Sequence, residues 1–140
     1  MKQTDPDKSC ERKFAVPFHD LDPMEVMWHG NYFKYFDITR DALFRKLGVD
    51  LYRVYRDTQY IFPIIRTSIK HVLPLRFRDE FLCRATLKEV NYKITIAFEI
   101  RLVEDNRVST RGKSEQAAIK IPEMETMLRI PDDIREALGF

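Results

Sequence analysis

From Tyr32 to Leu47 the apolar residues return at helical intervals, and beyond residue 60 they return at every second position. Tyr32, Phe36, Thr39, Leu43 and Leu47 form one stripe, and Tyr35 and Ala42 widen it. A helix with so wide an apolar face must be covered. Asn31 is the expected N-cap, since its side-chain oxygen can accept a free N–H of the first turn. Gly48 is the expected stop. "GVDLYRVYRDTQ" reads as a further short helical turn.

The cover has to come from strands. "KFAVPF" predicts a first strand with Phe14, Val16 and Phe18 on one side. After the helices, "YIFPIIRTSIKHV" reads as a strand, "LPLRFRDE" as a turn-bearing connection, and "FLCRATLKEV" and "YKITIAFEIRLV" as two long strands. In the last of these Tyr92, Ile94, Ile96, Phe98, Ile100 and Leu102 alternate with Lys93, Thr95, Glu99 and Arg101, the mark of a half-buried antiparallel strand. "EDNR" supplies a hairpin turn. "VSTRGKSEQAAIKI" is a final, weakly hydrophobic strand, and "IPDDIREALGF" a terminal helix with Pro131 at its first position. The order strand, long helix, four strands predicts an α+β domain in which a curved antiparallel sheet wraps around one central helix. Its open edges would be paired by a second copy.

Length and composition are consistent with one such domain. There are 140 residues, 44% hydrophobic and 33% charged, enough for a packed core. Residues 1–11 are polar and read as a mobile tail, leaving 12–140 as the domain. The net charge of +2 gives no support for a nucleic-acid protein. Cys10 and Cys83 are not expected to pair, and no metal-ligand spacing occurs. No apolar run approaches the roughly 20 residues that span a bilayer, and "MKQTDPDKSCERK" lacks the apolar centre of a signal peptide. The expectation is a soluble, cytoplasmic protein.

Between the first strand and the helix lies "VPFHDLDPMEVMWHGNY", Val16–Tyr32, with two aspartates, a glutamate, two histidines and a tryptophan. Turn chemistry alone accounts for an aspartate here. It does not account for acid and imidazole gathered where a chain enters its most apolar helix.

The stretch "FHDLDPMEVMWHGNYFKYFD" resembles the signature of hotdog-fold thioesterases of the 4-hydroxybenzoyl-CoA thioesterase type. The matching residues are Phe18, Asp20, Asp22, Trp28, His29, Asn31 and Tyr32. The likeness extends over the element order after about residue 12, and the "HDLDPMEVMWHGNY" form is most similar to thioesterases associated with aryl-polyene pigments. The resemblance implies a single hotdog domain, a family catalytic carboxylate at Asp22, a loop histidine at His29, and a backbone oxyanion donor at His29 or Gly30. Many relatives have glycine where this chain has Glu25, which puts the local loop conformation in question. Glu25 is read as a solvent-facing side chain, with a second acid of the site as the alternative.

Thioester hydrolysis needs a nucleophile, a stabilised oxyanion and an acyl pocket. Asp22 suits attack through a mixed anhydride or general-base activation of water, and the sequence does not choose. The leading N–H groups and positive end of the helix favour an oxyanion. His29 can orient Asp22, position water or assist the leaving thiolate. Phe18, Trp28, Tyr32 and Phe33 are the candidate acyl or aryl pocket, although aromatic clusters also serve as plain core. Arg76, Arg78, Arg111 and Lys113 are candidates for coenzyme A phosphates or an acidic acyl carrier protein, against the reading of a solvated strand face. "STRG", Ser109–Gly112, is a candidate approach for a pantetheine arm. Asp20 is read as a loop hydrogen-bonding residue, Asp37 and Arg40 as a helical ion pair, and His19 and His71 as structural. No cofactor is expected beyond the coenzyme A or phosphopantetheine carried by the substrate, and the expected assembly is a homodimer or homotetramer. Two alternatives stay open: a non-catalytic acyl-binding or scaffolding hotdog protein, and a hotdog hydratase or dehydratase.

Overall fold

The helix that demanded cover receives it from five strands. The computed structural model describes residues 8–140. Strands β1 (Ser9–Ala15), β3 (Ile64–His71), β4 (Glu80–Val90), β5 (Ile94–Leu102) and β6 (Val108–Gln116) form one antiparallel sheet in the order β1-β4-β5-β6-β3. Helix α1 (Tyr32–Lys46) lies on its inner face, and α2 (Leu51–Thr58) follows. Short strands β2 (Tyr60–Ile61), β7 (Ile119–Lys120) and β8 (Glu125–Thr126) make a small second sheet, and α3 (Asp132–Ala137) ends the chain.

The register explains the inner face. Phe81, Cys83, Ala85 and Leu87 of β4 stand opposite Leu102, Ile100, Phe98 and Ile96 of β5, and all eight are buried. On α1 the expected stripe faces them: Tyr32, Tyr35, Phe36, Thr39, Ala42 and Leu43 are buried, and Leu47 is half-buried. Phe36 stacks on Phe98 with ring centroids 4.4 Å apart. β6 looked weakly hydrophobic because it presents Thr110, Gly112 and Ser114 to the helix. Small side chains there let α1 come close: a Cβ on Gly112 would lie 2.6 Å from the Phe36 ring and 3.3 Å from the Ser68 carbonyl oxygen. Gly112 is therefore used for helix–sheet contact; of the "STRG" stretch, Ser109 and Thr110 are fully buried, while Arg111 and Gly112 border a hollow of about 210 Å³.

Several boundaries differ from expectation. Ser9, Cys10 and Glu11, placed in the tail, pair with Thr86, Ala85 and Arg84. The edge of β4 accepts any extended backbone, and side-chain polarity on an outer strand does not prevent it. Residues 1–7 of that tail lie outside the described residues. The first strand ends at Ala15, so Phe18 falls in the next turn rather than on the strand. Pro63 divides the predicted strand into β2 and β3, because proline has no N–H for the ladder. Tyr92 precedes β5 and is exposed. Asn31 makes no side-chain cap, because a 3₁₀ turn, His29–Asn31, runs directly into α1 and carries the helix start back by one turn. Pro131 caps α3 rather than opening it. Gly48 has φ +76° just past α1, as a helix stop requires. Cys10 and Cys83 are free thiols, and burial pushes the Cys83 thiol up to about 12.

Candidate active site

Val16–Asn31 forms a clamped loop at the leading end of α1. Leu21 and Met27 bridge as an antiparallel pair, and Asp22 N–H donates to the Val26 carbonyl at 2.9 Å. The tip is closed by Glu25 N–H on the Asp22 carbonyl, 2.9 Å, and by Met24 N–H on Asp22 Oδ1, 2.8 Å. The second is an Asx turn, the local bond that favours aspartate at such a tip. Glu25 adopts φ +66° and is exposed, which meets the expectation that it faces solvent and shows why glycine suits this position. The far limb of the loop is tied to the β3–β4 connection, with Val26 bridged to Arg76 and Met27 N–H donating to the Leu75 carbonyl at 2.7 Å.

A cleft of about 250 Å³ opens beside this loop. Its walls include Asp22, His29, Tyr32 and, from the end of β3, His71. Met24, Val26, Met27, Val72, Leu73 and Pro74 make the rest apolar. The Tyr32 ring meets His71 edge-on with centroids 4.6 Å apart. Burial, aided by His29, holds the His71 imidazole below its usual range. Burial also raises the Tyr32 phenol, against the Leu75 backbone and the Ser109 and Thr110 hydroxyls that bond to it. Larger hollows lie along residues 125–132, about 440 Å³, and between α1 and α2, about 270 Å³. Neither contains a histidine beside its carboxylates. Among the described residues no group of three histidines, cysteines or carboxylates is arranged to hold a metal.

The predicted residues are only partly brought together. Asp22, His29 and Tyr32 share the cleft. Phe18 is instead 75% exposed with its ring against Phe77. Trp28 lies against Gly30, so close that a Cβ there would fall 2.2 Å from its ring, and beside His29 at 5.0 Å. Phe33 meets Phe36 edge-on. These three are not among the cleft walls: Phe18 lies in the opening turn of the loop, Trp28 folds over Gly30, and Phe33 is on α1 against Phe36.

Arg76 and Arg78 sit on the connection that continues from Pro74. Arg78 has φ +68° and its guanidinium covers the Phe77 ring. Arg111 and Lys113 alternate with the helix-facing residues of β6, so they lie on the outer face of the sheet. There Arg111 pairs with Glu99 at 3.3 Å and Lys113 with Glu115 at 3.9 Å. The four cations therefore do not form one patch. Asp37 and Arg40 form the expected ion pair.

His71 was missed as a cleft residue. Its signal lay in the β3 alternation, which puts Thr67, Ile69 and His71 on the face that looks toward α1. Asp20, expected to bond within the loop, is 2% exposed and does so extensively. Burial works against its charge. The bonds from Lys34 and Tyr35, with the Lys34 charge, outweigh that and hold its carboxyl below the usual range. The same contact, together with burial, pushes the Tyr35 phenol up.

Residues 16–138 match the family model described as the thioesterase-like superfamily. The chain belongs to the thioesterase-like superfamily. A putative esterase of Aquifex aeolicus is 23% identical over 123 residues, 88% of this chain and 92% of that one. Among solved structures, a 4-hydroxybenzoyl CoA thioesterase variant complexed with 4-hydroxybenzoyl CoA superposes with TM-score 0.84 at 16% identity. The match covers 94% of this chain and 99% of the other. A 1,4-dihydroxy-2-naphthoyl-CoA thioesterase from Synechocystis gives 0.82 at 16% identity, over 93% and 95%. At such identities these structures speak for the fold, and this superfamily member has the α+β hotdog fold: a five-stranded antiparallel sheet packed on a central helix. No described helix is long and apolar enough to cross a membrane.

Proposed function

We propose that this protein hydrolyses acyl thioesters in the cleft at the leading end of α1, with Asp22 as nucleophile or general base. The observation that supports this reading is the meeting of Asp22, His29 and Tyr32 on one largely apolar cleft. The helical turn starts at His29, and the first N–H groups of a helix have no partner within it. Those of His29 and Gly30 are the donors for the oxyanion. Asp22 Oδ1 is held by Met24 N–H, and the other oxygen carries the chemistry. As base, it takes a proton from water while the water oxygen bonds to the carbonyl carbon. As nucleophile, it bonds to that carbon itself and water later cleaves the anhydride. In both, the C–S bond breaks and the thiolate leaves with the electron pair. His29, on the same cleft, positions water or hydrogen-bonds the departing sulfur.

Met24, Val26, Met27, Val72, Leu73 and Pro74 form the acyl pocket, and methionines suit acyl groups of varied shape. The relatives acting on aryl thioesters of coenzyme A make that substrate class the first to try. Arg76 and Arg78, on the connection leading out of the cleft, are positioned for the charged carrier, whether coenzyme A or a carrier protein. Arg111 and Lys113 meet such a carrier only from the outer sheet face. The open edges of β1 and β3 are suited to pairing with a second copy, as a homodimer or homotetramer.

The test is release of free thiol from aryl, short-chain and long-chain acyl donors, followed with a thiol-reactive dye. Asp22→Asn should lower kcat by roughly 10²–10⁴-fold in a protein that stays folded. Unchanged turnover in that variant overturns the assignment. Tight binding of every donor without turnover by the unmodified protein overturns hydrolysis itself.

A further inference from the structure

We propose that Asp20 is a positioning residue of the site, a buried carboxylate that locks both ends of the loop onto α1 and acts on turnover through Asp22. The proposal rests on the thioesterase reading. Its basis is the number of connections that converge on one residue. The Asp20 carboxylate accepts Lys34 Nζ at 2.8 and 3.0 Å and the Tyr35 hydroxyl, both from the first turns of α1. Its backbone carbonyl accepts Trp28 N–H and Asn31 Nδ2, each at 2.9 Å. Its own N–H donates to the Pro17 carbonyl at 3.1 Å. One residue thus joins the entry of the loop, its exit, the 3₁₀ turn and the helix.

A turn aspartate needs none of this. A carboxylate 2% exposed is costly to bury unless its partners are in place, so the clamp is all-or-none rather than gradual. Tyr35 is itself fixed by edge-on contacts with Phe14 at 4.9 Å and Phe81 at 5.0 Å, which ties the clamp to the core. Asp22 lies two residues beyond the clamp, at the start of the tip that the clamp encloses. Rotation at Asp20 would release Trp28 and Asn31 together and move Asp22 relative to the His29 end of the helix. The clamp touches no cleft wall except through the chain, because Asp20 is not among the residues lining the cleft. It therefore acts through placement.

Trp28, the single tryptophan, sits in the clamped segment and reports on it without any substrate. Asp20→Asn should raise acrylamide quenching of Trp28. It should also lower kcat by about 10–100-fold with KM changed by less than about threefold, the scale of an ångström misplacement. Asp22→Asn should leave the quenching unchanged. In the Asp22→Asn background, adding Asp20→Asn should lower the residual turnover no further. Tyr35→Phe removes one bond while keeping the ring contacts, and should move both readouts the same way by less. It carries the same test if Asp20→Asn does not fold. Unaltered Trp28 quenching in these variants overturns the clamp, as does an equal fractional loss of turnover with and without Asp22. An Asp22→Asn protein with full turnover sinks the function of Asp22, and the clamp's route with it. A dead Asp22→Asn beside unaltered quenching in Asp20→Asn sinks the clamp alone.

Discussion

The layer between α1 and the sheet and the loop that precedes α1 are held by opposite means. In the layer, apolar side chains meet: Phe36 on Phe98, and β4 residues opposite β5 residues, with the largest fully buried. In the loop, Val16 and Met27 are buried, but the shape is set by directed bonds to Asp20, Asp22 and the Leu75 carbonyl. Burial is non-directional and scales with the apolar area removed from water. Hydrogen bonds to a buried charge are directional. The contrast suggests that the layer decides whether the chain folds and the loop decides whether the fold does anything.

That division can be broken by experiment. Phe36→Ala removes the ring between helix and sheet and should destabilise by about 3–5 kcal/mol in urea unfolding. A loss below about 1 kcal/mol would mean that the layer is not the source of stability. Gly112→Ala pushes a methyl group into the same ring and the Ser68 carbonyl, with an expected cost of about 1–3 kcal/mol from overpacking. Acid titration sharpens the loop side. The folded Asp20 carboxyl lies below its unfolded value, so its contribution is complete above the ordinary carboxylate range and drains away as pH falls through the depressed folded value. Asp20→Asn should therefore flatten the acid limb of stability against pH, a smaller effect than either core change, and an unaltered limb would count against the ion pair. Leu128→Ser, at a side chain 89% exposed, should stay within about 0.5 kcal/mol and serves as the baseline.

The same contrast explains what could be read from residues alone. The alternation Ile94–Leu102 and the stripe Tyr32–Leu43 are repeated signals, each position agreeing with the next, and both elements formed as expected. β1 began earlier than expected because its first residues are polar and owe their strand to β4, a partner about 75 residues away. Asp22 and His29 were found through a local motif and do share a cleft. Phe18, Trp28 and Phe33 were grouped by their nearness to the helix start, but their rings lie against Phe77, Gly30 and Phe36 respectively. His71 reaches the cleft from another strand, and no spacing within the motif announces it. Arg111 and Lys113 were weighed against a solvated strand face, and they stand on the outer face of the sheet, paired with Glu99 and Glu115.

The Phe36 ring, laid against the cross-strand pair Phe98 and Gly112, works as a shim: its thickness sets the height at which α1 rides above the sheet. The mouth of the cleft is cut at the leading end of that same helix, one turn from the shim. A smaller ring at position 36 is thus expected to let α1 settle toward the sheet and to carry its leading end along, with every residue lining the cleft unchanged.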